Sequence, residues 1–169
     1  MIVTLVQAEN YEYVQKLFQY YIYDMSEYTG WPPYDDGTFE VDDSVTGLRD
    51  YWTKPNHFPY LIKAGGEIAG FSLVRKYPED KECFDMGQFF ILRKYKRKGI
   101  GVQAFQLTVS KHPGKWMTRV LPDNTGAREF WLKAIKAIAS TEIAIETELY
   151  KSTEMEFIRF ETATNLSNC

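Results

Sequence analysis

The sequence is poor in cysteine, in long apolar runs and in excess positive charge. Its two cysteines, Cys83 and Cys169, are too few and too far apart for a disulfide framework or a zinc site, so we expect no metal. No apolar stretch is long enough to span a bilayer, and no signal-like segment follows Met1. The net charge of −3 argues against a general polyanion binder, which normally carries a basic excess. We therefore expect a cytoplasmic protein that binds neither membranes nor nucleic acid.

Apolar and aromatic side chains, in contrast, are plentiful. They make up 44% and 16% of the 169 residues, which is enough to bury one substantial core. No internal repeat, low-complexity tract or linker interrupts the chain, and this predicts a single domain over residues 1–169. Strand-like and helix-like segments alternate in the order β-α-α-β-β-β-α-β-α-β-β, which is typical of an α+β fold.

Hydrophobic periodicity and turn residues give approximate bounds for these elements. Asn10 is a suitable N-cap for the first helix, and Gly30 is a suitable end for it. Gly65-Gly66 predicts a tight hairpin between two strands. The last two strands are rich in β-branched and aromatic residues and are expected to pair antiparallel. The predicted strands are 2–7, 58–64, 68–75, 83–92, 116–121, 141–149 and 155–162, and the predicted helices are 10–30, 42–52, 101–112 and 125–139.

A basic, glycine-containing turn is the strongest functional signal. The sequence Lys96-Arg97-Lys98-Gly99-Ile100-Gly101 lies between an apolar strand and a helix. The N–H groups of a helix's first turn lack intrahelical partners and carry the positive end of the helix dipole. Glycines let an anion approach the backbone closely. The turn therefore predicts a phosphate site, whereas an ordinary solvated loop is the alternative interpretation.

A second motif, Asn124-x-x-Ala127-x-x-Phe130-Trp131, opens the next helix along the chain. Together the two motifs resemble the GNAT superfamily of N-acetyltransferases. The similarity covers nearly the whole chain in the order of elements and about residues 85–131 in motif. The family's turn reads Arg or Gln, two residues, Gly, one residue, Gly or Ala. Here Gly99 and Gly101 fit that pattern, and Lys96 replaces the Arg or Gln, keeping a charge but losing the planar fork of arginine.

The resemblance implies an α/β/α sandwich. Its sheet would be mixed and mostly antiparallel, with about seven strands flanked by about four helices and a splay between the two central parallel strands. The implied activity is direct transfer of the acetyl group of acetyl-CoA to the amine of a small-molecule or peptide acceptor in a ternary complex. Acetyl-CoA would be the co-substrate.

The resemblance also assigns residues to the coenzyme. The turn would hold the pyrophosphate, the backbone of Phe89 and Ile91 would pair with the pantetheine arm, and the Phe89 N–H would polarise the thioester carbonyl. Asn124 and Ala127 would line the other wall, although Asn124 is also a suitable helix N-cap. The residues implied to bind coenzyme are Phe89, Ile91, Lys96, Arg97, Lys98, Gly99, Gly101, Val102, Asn124, Ala127 and Trp131.

The groups for proton transfer are less well defined. Many members have a tyrosine where this chain has Trp131, and an indole N–H is not a useful acid at neutral pH. Tyr95 and Tyr150 are substitute donors for the leaving thiolate, and water is another. Asp85 is a candidate base, because alternate residues of a strand lie on the same face, so Asp85 would share the face of Phe89 and Ile91 if no bulge intervenes. A solvent-facing position for Asp85 is the alternative.

The acceptor is expected to bind near the first helices, where aromatic and acidic residues are dense. Tyr23, Asp24, Tyr28 and Trp31 are the candidates, and such a lining suits a cationic amine. A tightly packed helix pair would look the same in sequence. Two other functions stay open: a coenzyme A-binding module that has lost catalysis, and a polyanion-binding domain that uses the cations of residues 93–98. The paired C-terminal strands also suggest a homodimer.

Overall fold

The computed structural model describes residues 1–39 and 42–164. Its seven strands form one sheet in the order β1-β2-β3-β4-β5-β7-β6. The strands are β1 (Val3–Gln7), β2 (His57–Ala64), β3 (Glu67–Tyr77), β4 (Asp80–Ile91), β5 (Lys115–Val120), β6 (Ala144–Tyr150) and β7 (Thr153–Glu161). The helices are α1 (Tyr11–Thr29), α2 (Asp43–Thr46), α3 (Asp50–Thr53), α4 (Ile100–Lys111) and α5 (Thr125–Lys136).

The predicted α+β order is confirmed, with one correction. The helix predicted over residues 42–52 is two short helices, α2 and α3. Gly47 separates them, because it takes a left-handed conformation with φ +63° and ends α2. Asn10 caps α1 as predicted, since its side chain accepts a hydrogen bond from the Glu12 N–H at 2.9 Å. The two C-terminal strands also pair antiparallel, as predicted.

The sheet lies between two helical layers. On one face, α1 and α3 pack on β2, β3 and β4 through a cluster that includes Phe18, Tyr51, Phe71 and Phe90. On the other face, α4 and α5 cover β4, β5 and β7 through large aromatic residues such as Trp116 and Trp131. The predicted α/β/α sandwich is therefore confirmed. None of the helices in the described ranges is long and apolar enough to cross a membrane.

The two central strands, β4 and β5, run parallel but pair only over a short stretch. Pairing begins at Cys83 with Lys115 and ends at Asp85 with Met117, although β4 continues to Ile91 and β5 to Val120. Every other neighbouring pair in the sheet is antiparallel. The sheet therefore opens between β4 and β5, as the predicted splay requires.

A β-bulge interrupts β4 beside this opening. Leu73 of β3 pairs with Gln88, whereas the next residue, Val74, pairs with Met86, so Gly87 is the extra residue on β4. Glycine is required here, because a Cβ on Gly87 would overlap the hydroxyl oxygen of Tyr51. Side chains alternate between the faces of a strand, so one extra residue reverses the pattern beyond it. The two halves of β4 therefore present their odd-numbered residues to opposite faces.

Candidate functional site

A cleft of about 1060 Å³ occupies the opening between β4 and β5. It extends from the basic turn, past the start of α5, to the end of β6. Of the residues predicted to bind coenzyme, Lys98 is the one that does not line it. The predicted residues that line the cleft are Phe89, Ile91, Lys96, Arg97, Gly99, Gly101, Val102, Asn124, Ala127 and Trp131.

The basic turn ends in the N-terminus of α4. Arg97 and Gly99 both have left-handed backbones, with φ +61° and +74°, and Gly99 is the N-cap residue. No side chain caps the helix, and its first hydrogen bond joins the Gln103 N–H to the Gly99 carbonyl at 3.1 Å. Among the described residues, the N–H groups of residues 100–102 have no acceptor. The turn therefore offers a row of backbone donors to an anion in the cleft.

Gly101 lies where α4 approaches α5. A Cβ at this position would be 3.2 Å from Cε2 of Phe130 and 3.6 Å from Cγ1 of Ile91. Both of these side chains line the cleft. A side chain on residue 101 would therefore narrow the cleft beside the free N–H groups.

Ion pairs connect the turn to α1. Nζ of Lys96 lies 2.7 Å from one carboxylate oxygen of Asp24, and Nη2 of Arg93 lies 2.9 Å from the other. The backbone N–H of Lys96 donates to the Arg93 carbonyl at 3.2 Å, so this amide is already occupied. Arg97 also lines the cleft and has an exposed side chain. Lys96 consequently fixes the turn against α1, and the free N–H groups are those that follow it.

The wall formed by α5 combines a cap with an aromatic cluster. The side-chain oxygen of Asn124 accepts a hydrogen bond from the Ala127 N–H at 3.1 Å, so the helix-cap interpretation is correct. The Nδ2 group of Asn124 makes no hydrogen bond within the described ranges and remains available to a ligand. Trp131 is buried, and its ring centroid lies 5.4 Å from that of Phe89. These contacts close one side of the cleft with apolar surface.

The structure corrects the prediction that Asp85 shares a face with Phe89 and Ile91. The bulge at Gly87 turns Asp85 to the opposite face, and its side chain is 0% exposed, so the solvent-facing alternative is wrong as well. Nε of Arg75 donates to its carboxylate at 2.8 Å, and Nη1 of Arg119 donates at 3.1 Å. Asp85 is thus a buried carboxylate held between two guanidinium groups.

Phenol groups surround this ion cluster. The hydroxyl of Tyr150 accepts a hydrogen bond from Nη2 of Arg75 at 3.1 Å. Burial raises the pKa of Tyr21 to about 12, and burial together with the charge of Asp85 raises the pKa of Tyr51. Burial acts to lower the pKa of Arg75, but the charge of Asp85 outweighs it and the net change is upward. Tyr21 and Tyr51 are therefore neutral at neutral pH, and Arg75 is fully charged.

Of the two tyrosines proposed as acids, the structure brings only Tyr150 to the cleft. Tyr95 is buried under the turn, and its hydroxyl donates to the carboxylate of Glu67. This hydrogen bond is the main cause that raises the pKa of Tyr95, which makes it a weaker acid. The Tyr150 oxygen accepts from Arg75, so its own proton remains available for transfer.

Comparison with known proteins agrees with this geometry. Residues 17–135 match the model of the acetyltransferase (GNAT) family. The chain belongs to the GNAT family. No curated protein has a significantly similar sequence.

Solved GNAT structures show the same fold over nearly the whole chain. An aminoglycoside acetyltransferase in complex with coenzyme A is 14% identical and gives a TM-score of 0.66, with 95% of each chain covered. A spermidine N-acetyltransferase from Vibrio cholerae, in complex with CoA and spermine, is 13% identical with a TM-score of 0.63 and 95% coverage of each chain. The ribosomal-protein-S18-alanine N-acetyltransferase from Escherichia coli is 9% identical with a TM-score of 0.59, and 99% of each chain is covered. Identities this low establish a shared GNAT fold.

The predicted acceptor residues of this GNAT protein lie in different places. Asp24 and Tyr28 line the cleft, whereas Tyr23 and Trp31 do not. Tyr23 packs against Phe39, and Trp31 is 49% exposed. The charge of Asp24 is already balanced by Arg93 and Lys96. Asp24 therefore brings no unpaired negative charge to the cleft, whereas Glu27 lines the cleft as an exposed carboxylate.

Among the residues of the GNAT cleft that the sequence did not predict, Gly87, Gln88 and Arg119 matter most to its geometry and charge. Gly87 in a long strand was a signal for a bulge. Arg119 in the run Trp116–Leu121, which is apolar apart from Thr118, was a signal for a buried ion pair, because arginine is rarely buried without a partner. Gln88 gave no signal, since glutamine is unremarkable on a strand that borders solvent. Its Oε1 atom is buried and lacks a hydrogen bond within the described residues.

Proposed function

We propose that this protein, as a single domain spanning residues 1–169, is an acetyl-CoA-dependent N-acetyltransferase. The observation that carries the proposal is the juxtaposition of unpaired N–H groups at residues 100–102 with the cleft between β4 and β5. The N–H groups of residues 100–102 can donate hydrogen bonds to the charged oxygens of a pyrophosphate. The cleft has the elongated shape that a pantetheine arm needs. The relatives with CoA in their structures support this assignment by fold.

In the proposed complex the coenzyme follows the cleft from the turn inwards. The N–H groups at the start of α4, with the charge of Arg97, hold the pyrophosphate. The backbone of Phe89 and Ile91 pairs with the amides of the arm, because β5 no longer occupies that edge of β4. Nδ2 of Asn124 donates to the arm from the opposite wall. Lys98 contributes long-range attraction from outside the cleft.

The chemistry is direct attack of an amine on the thioester in a ternary complex. The nitrogen lone pair forms a bond to the acetyl carbonyl carbon, the carbon–sulfur bond breaks, and the thiolate takes up a proton. We assign the Phe89 N–H to the carbonyl oxygen. We propose that the amine releases its proton to water, since Asp85 is held by two arginines on the other face.

Acetyl-CoA use is consistent with a cytoplasmic protein, and a homodimer through the edge strand β6 stays a prediction.

The direct test is release of free coenzyme A thiol from acetyl-CoA, measured with a chromogenic thiol reagent against a panel of primary amines. The proposal predicts thiol release that depends on both the protein and an amine, with a mass increase of one acetyl group on that amine. Binding of acetyl-CoA without turnover of any amine would instead support the alternative.

That alternative is a coenzyme A-binding module with impaired catalysis. It is favoured by Trp131, which occupies the place of the tyrosine found in many members, and whose indole is packed between Phe89 and Phe105. The indole N–H cannot protonate a thiolate at neutral pH.

Replacing Tyr150 with phenylalanine tests whether Tyr150 or water protonates the thiolate in an active enzyme. If Tyr150 protonates the thiolate, we expect kcat to fall about 100-fold while KM for acetyl-CoA stays within about twofold. The phenylalanine keeps the ring beneath Arg119 and removes only the hydroxyl. Tyr95→Phe is the matched control, because that hydroxyl donates to Glu67 outside the cleft. Equal kcat in wild type and Tyr150→Phe would assign protonation to water.

A further inference from the structure

The acceptor end of the cleft carries an uncompensated positive charge. Arg75 and Arg119 share the single carboxylate of Asp85, which is fully buried. The phenols of Tyr21 and Tyr51 are neutral, as described above, and do not balance the second guanidinium. An unpaired charge in a buried site is costly, so a site with such a charge is suited to an anionic ligand.

Arg119 is the member of this cluster that faces the cleft. Its side chain is 7% exposed and lines the cleft wall. The guanidinium lies 4.1 Å from the ring centroid of Tyr150, which supports it from one side. Nη1 lies 3.1 Å from the Asp85 carboxylate, and among the described residues the guanidinium donates to no other acceptor. A guanidinium has five N–H donors in a planar fork, so most of its donors remain free.

The bulge at Gly87 places this cluster on the acceptor side of the sheet. Phe89 and Ile91 face α4 and α5, where the coenzyme is proposed to enter. Asp85, Arg75 and Arg119 lie on the opposite face, which α1 and α3 cover and which the acceptor must approach. Gln88 lines the same end of the cleft, with a buried Oε1 that has no hydrogen-bond partner in the described ranges.

We propose that Arg119 binds a carboxylate of the acceptor, so that the acceptor is an amine that also carries a carboxylate group. This rests on the proposed acetyltransferase function. The planar guanidinium of Arg119 can donate two parallel hydrogen bonds to a carboxylate. Asp85 and Tyr150 hold this guanidinium in position. Oε1 of Gln88 accepts a hydrogen bond from the acceptor amine, and Glu27 at the exposed rim attracts its ammonium form. The acidic and aromatic lining for a cationic amine that the sequence predicted is thereby replaced by a lining for a zwitterion.

Matched acceptors test the proposal. The probes are the common amino acids and simple dipeptides, each paired with its C-terminal carboxamide, with thiol release from acetyl-CoA as the readout. We expect at least one pair in which kcat/KM for the carboxylate is about tenfold or more above that for the amide. Arg119→Lys should raise KM for that carboxylate about tenfold and so lower the ratio of carboxylate to amide kcat/KM by about the same factor. Arg159→Lys is the control, because Arg159 pairs with Glu146 and Glu148 outside the cleft.

The outcomes distinguish failure of this proposal from failure of the proposed acetyltransferase function on which it rests. Equal or faster turnover of the amides, turnover confined to amines without a carboxylate, or no turnover of any carboxylate probe would overturn the role of Arg119. Turnover of other amines would then still support the acetyltransferase. A purely structural role for Arg119 predicts that Arg119→Lys lowers the melting midpoint while the ratio of carboxylate to amide rates is unchanged. The wild-type ratio tests the proposal even if the variant fails to fold.

Discussion

Replacing Gly101 with aspartate should weaken acetyl-CoA binding on the order of 100-fold, equivalent to about 2.7 kcal/mol of binding free energy. A Cβ at this position already lies 3.2 Å from the Phe130 ring, so the larger side chain must extend into the cleft. Its carboxylate would also lie beside the N–H groups of residues 100–102 and repel a pyrophosphate. Titration calorimetry with acetyl-CoA measures the effect directly.

Two comparison variants make this result specific. Gln103→Asp adds the same charge to the same turn of α4, but residue 103 is exposed and does not line the cleft, so we expect a change of at most about threefold. Asn124→Ala removes one side-chain amide from the opposite wall and should weaken binding about tenfold. Equal losses for Gly101→Asp and Asn124→Ala would argue against the phosphate site at α4. Circular dichroism of each variant shows whether it has folded.

Replacing Asp85 with alanine should lower the free energy of unfolding by about 3 kcal/mol or more. The change leaves Arg75 and Arg119 facing each other without a counter-charge in a buried site. For a chain of this size, a loss of that magnitude corresponds to a fall of roughly 10 °C in the melting midpoint. Differential scanning calorimetry of the protein without ligands is the measurement.

A surface ion pair provides the matched control. Glu146 pairs with Arg159 at 3.2 Å, but its side chain is 66% exposed, so Glu146→Ala should change stability by less than about 1 kcal/mol. Adding Arg119→Met to Asp85→Ala should recover part of the lost stability, because it removes one of the two unpaired charges. An unchanged midpoint in Asp85→Ala, with a fall in kcat alone, would show that Asp85 acts as a base and does not hold the arginines.

Local signals in the sequence were sufficient for most of the fold. Asn10, the Gly65-Gly66 turn and the apolar strands gave elements that the structure contains, because caps, turns and periodicity depend on neighbouring residues alone. The basic turn was predicted as a phosphate site for the same reason, since the free N–H groups at the start of a helix follow from the local backbone. The single helix predicted over residues 42–52 failed because the left-handed Gly47 outweighs the apolar pattern around it.

The acceptor side could not be predicted from local signals. The bulge at Gly87 reverses which face of the sheet the following side chains occupy, and Gly87 packs against Tyr51, which is distant in sequence. The pairing of Asp24 with Lys96 and of Asp85 with Arg119 likewise joins residues from different elements. Asp24 and Asp85 are therefore each paired with two cations, and Arg119 keeps free donors toward the cleft.

Thermal denaturation with and without acetyl-CoA tests the central claim most directly. A ligand that binds only the folded state at about 100 times its Kd stabilises by about 2.7 kcal/mol. For a protein of this length that corresponds to a rise of roughly 5–10 °C in the melting midpoint. We predict this rise for the wild type at millimolar acetyl-CoA and its loss in Gly101→Asp. A midpoint that millimolar acetyl-CoA leaves unchanged in the wild type would contradict the account.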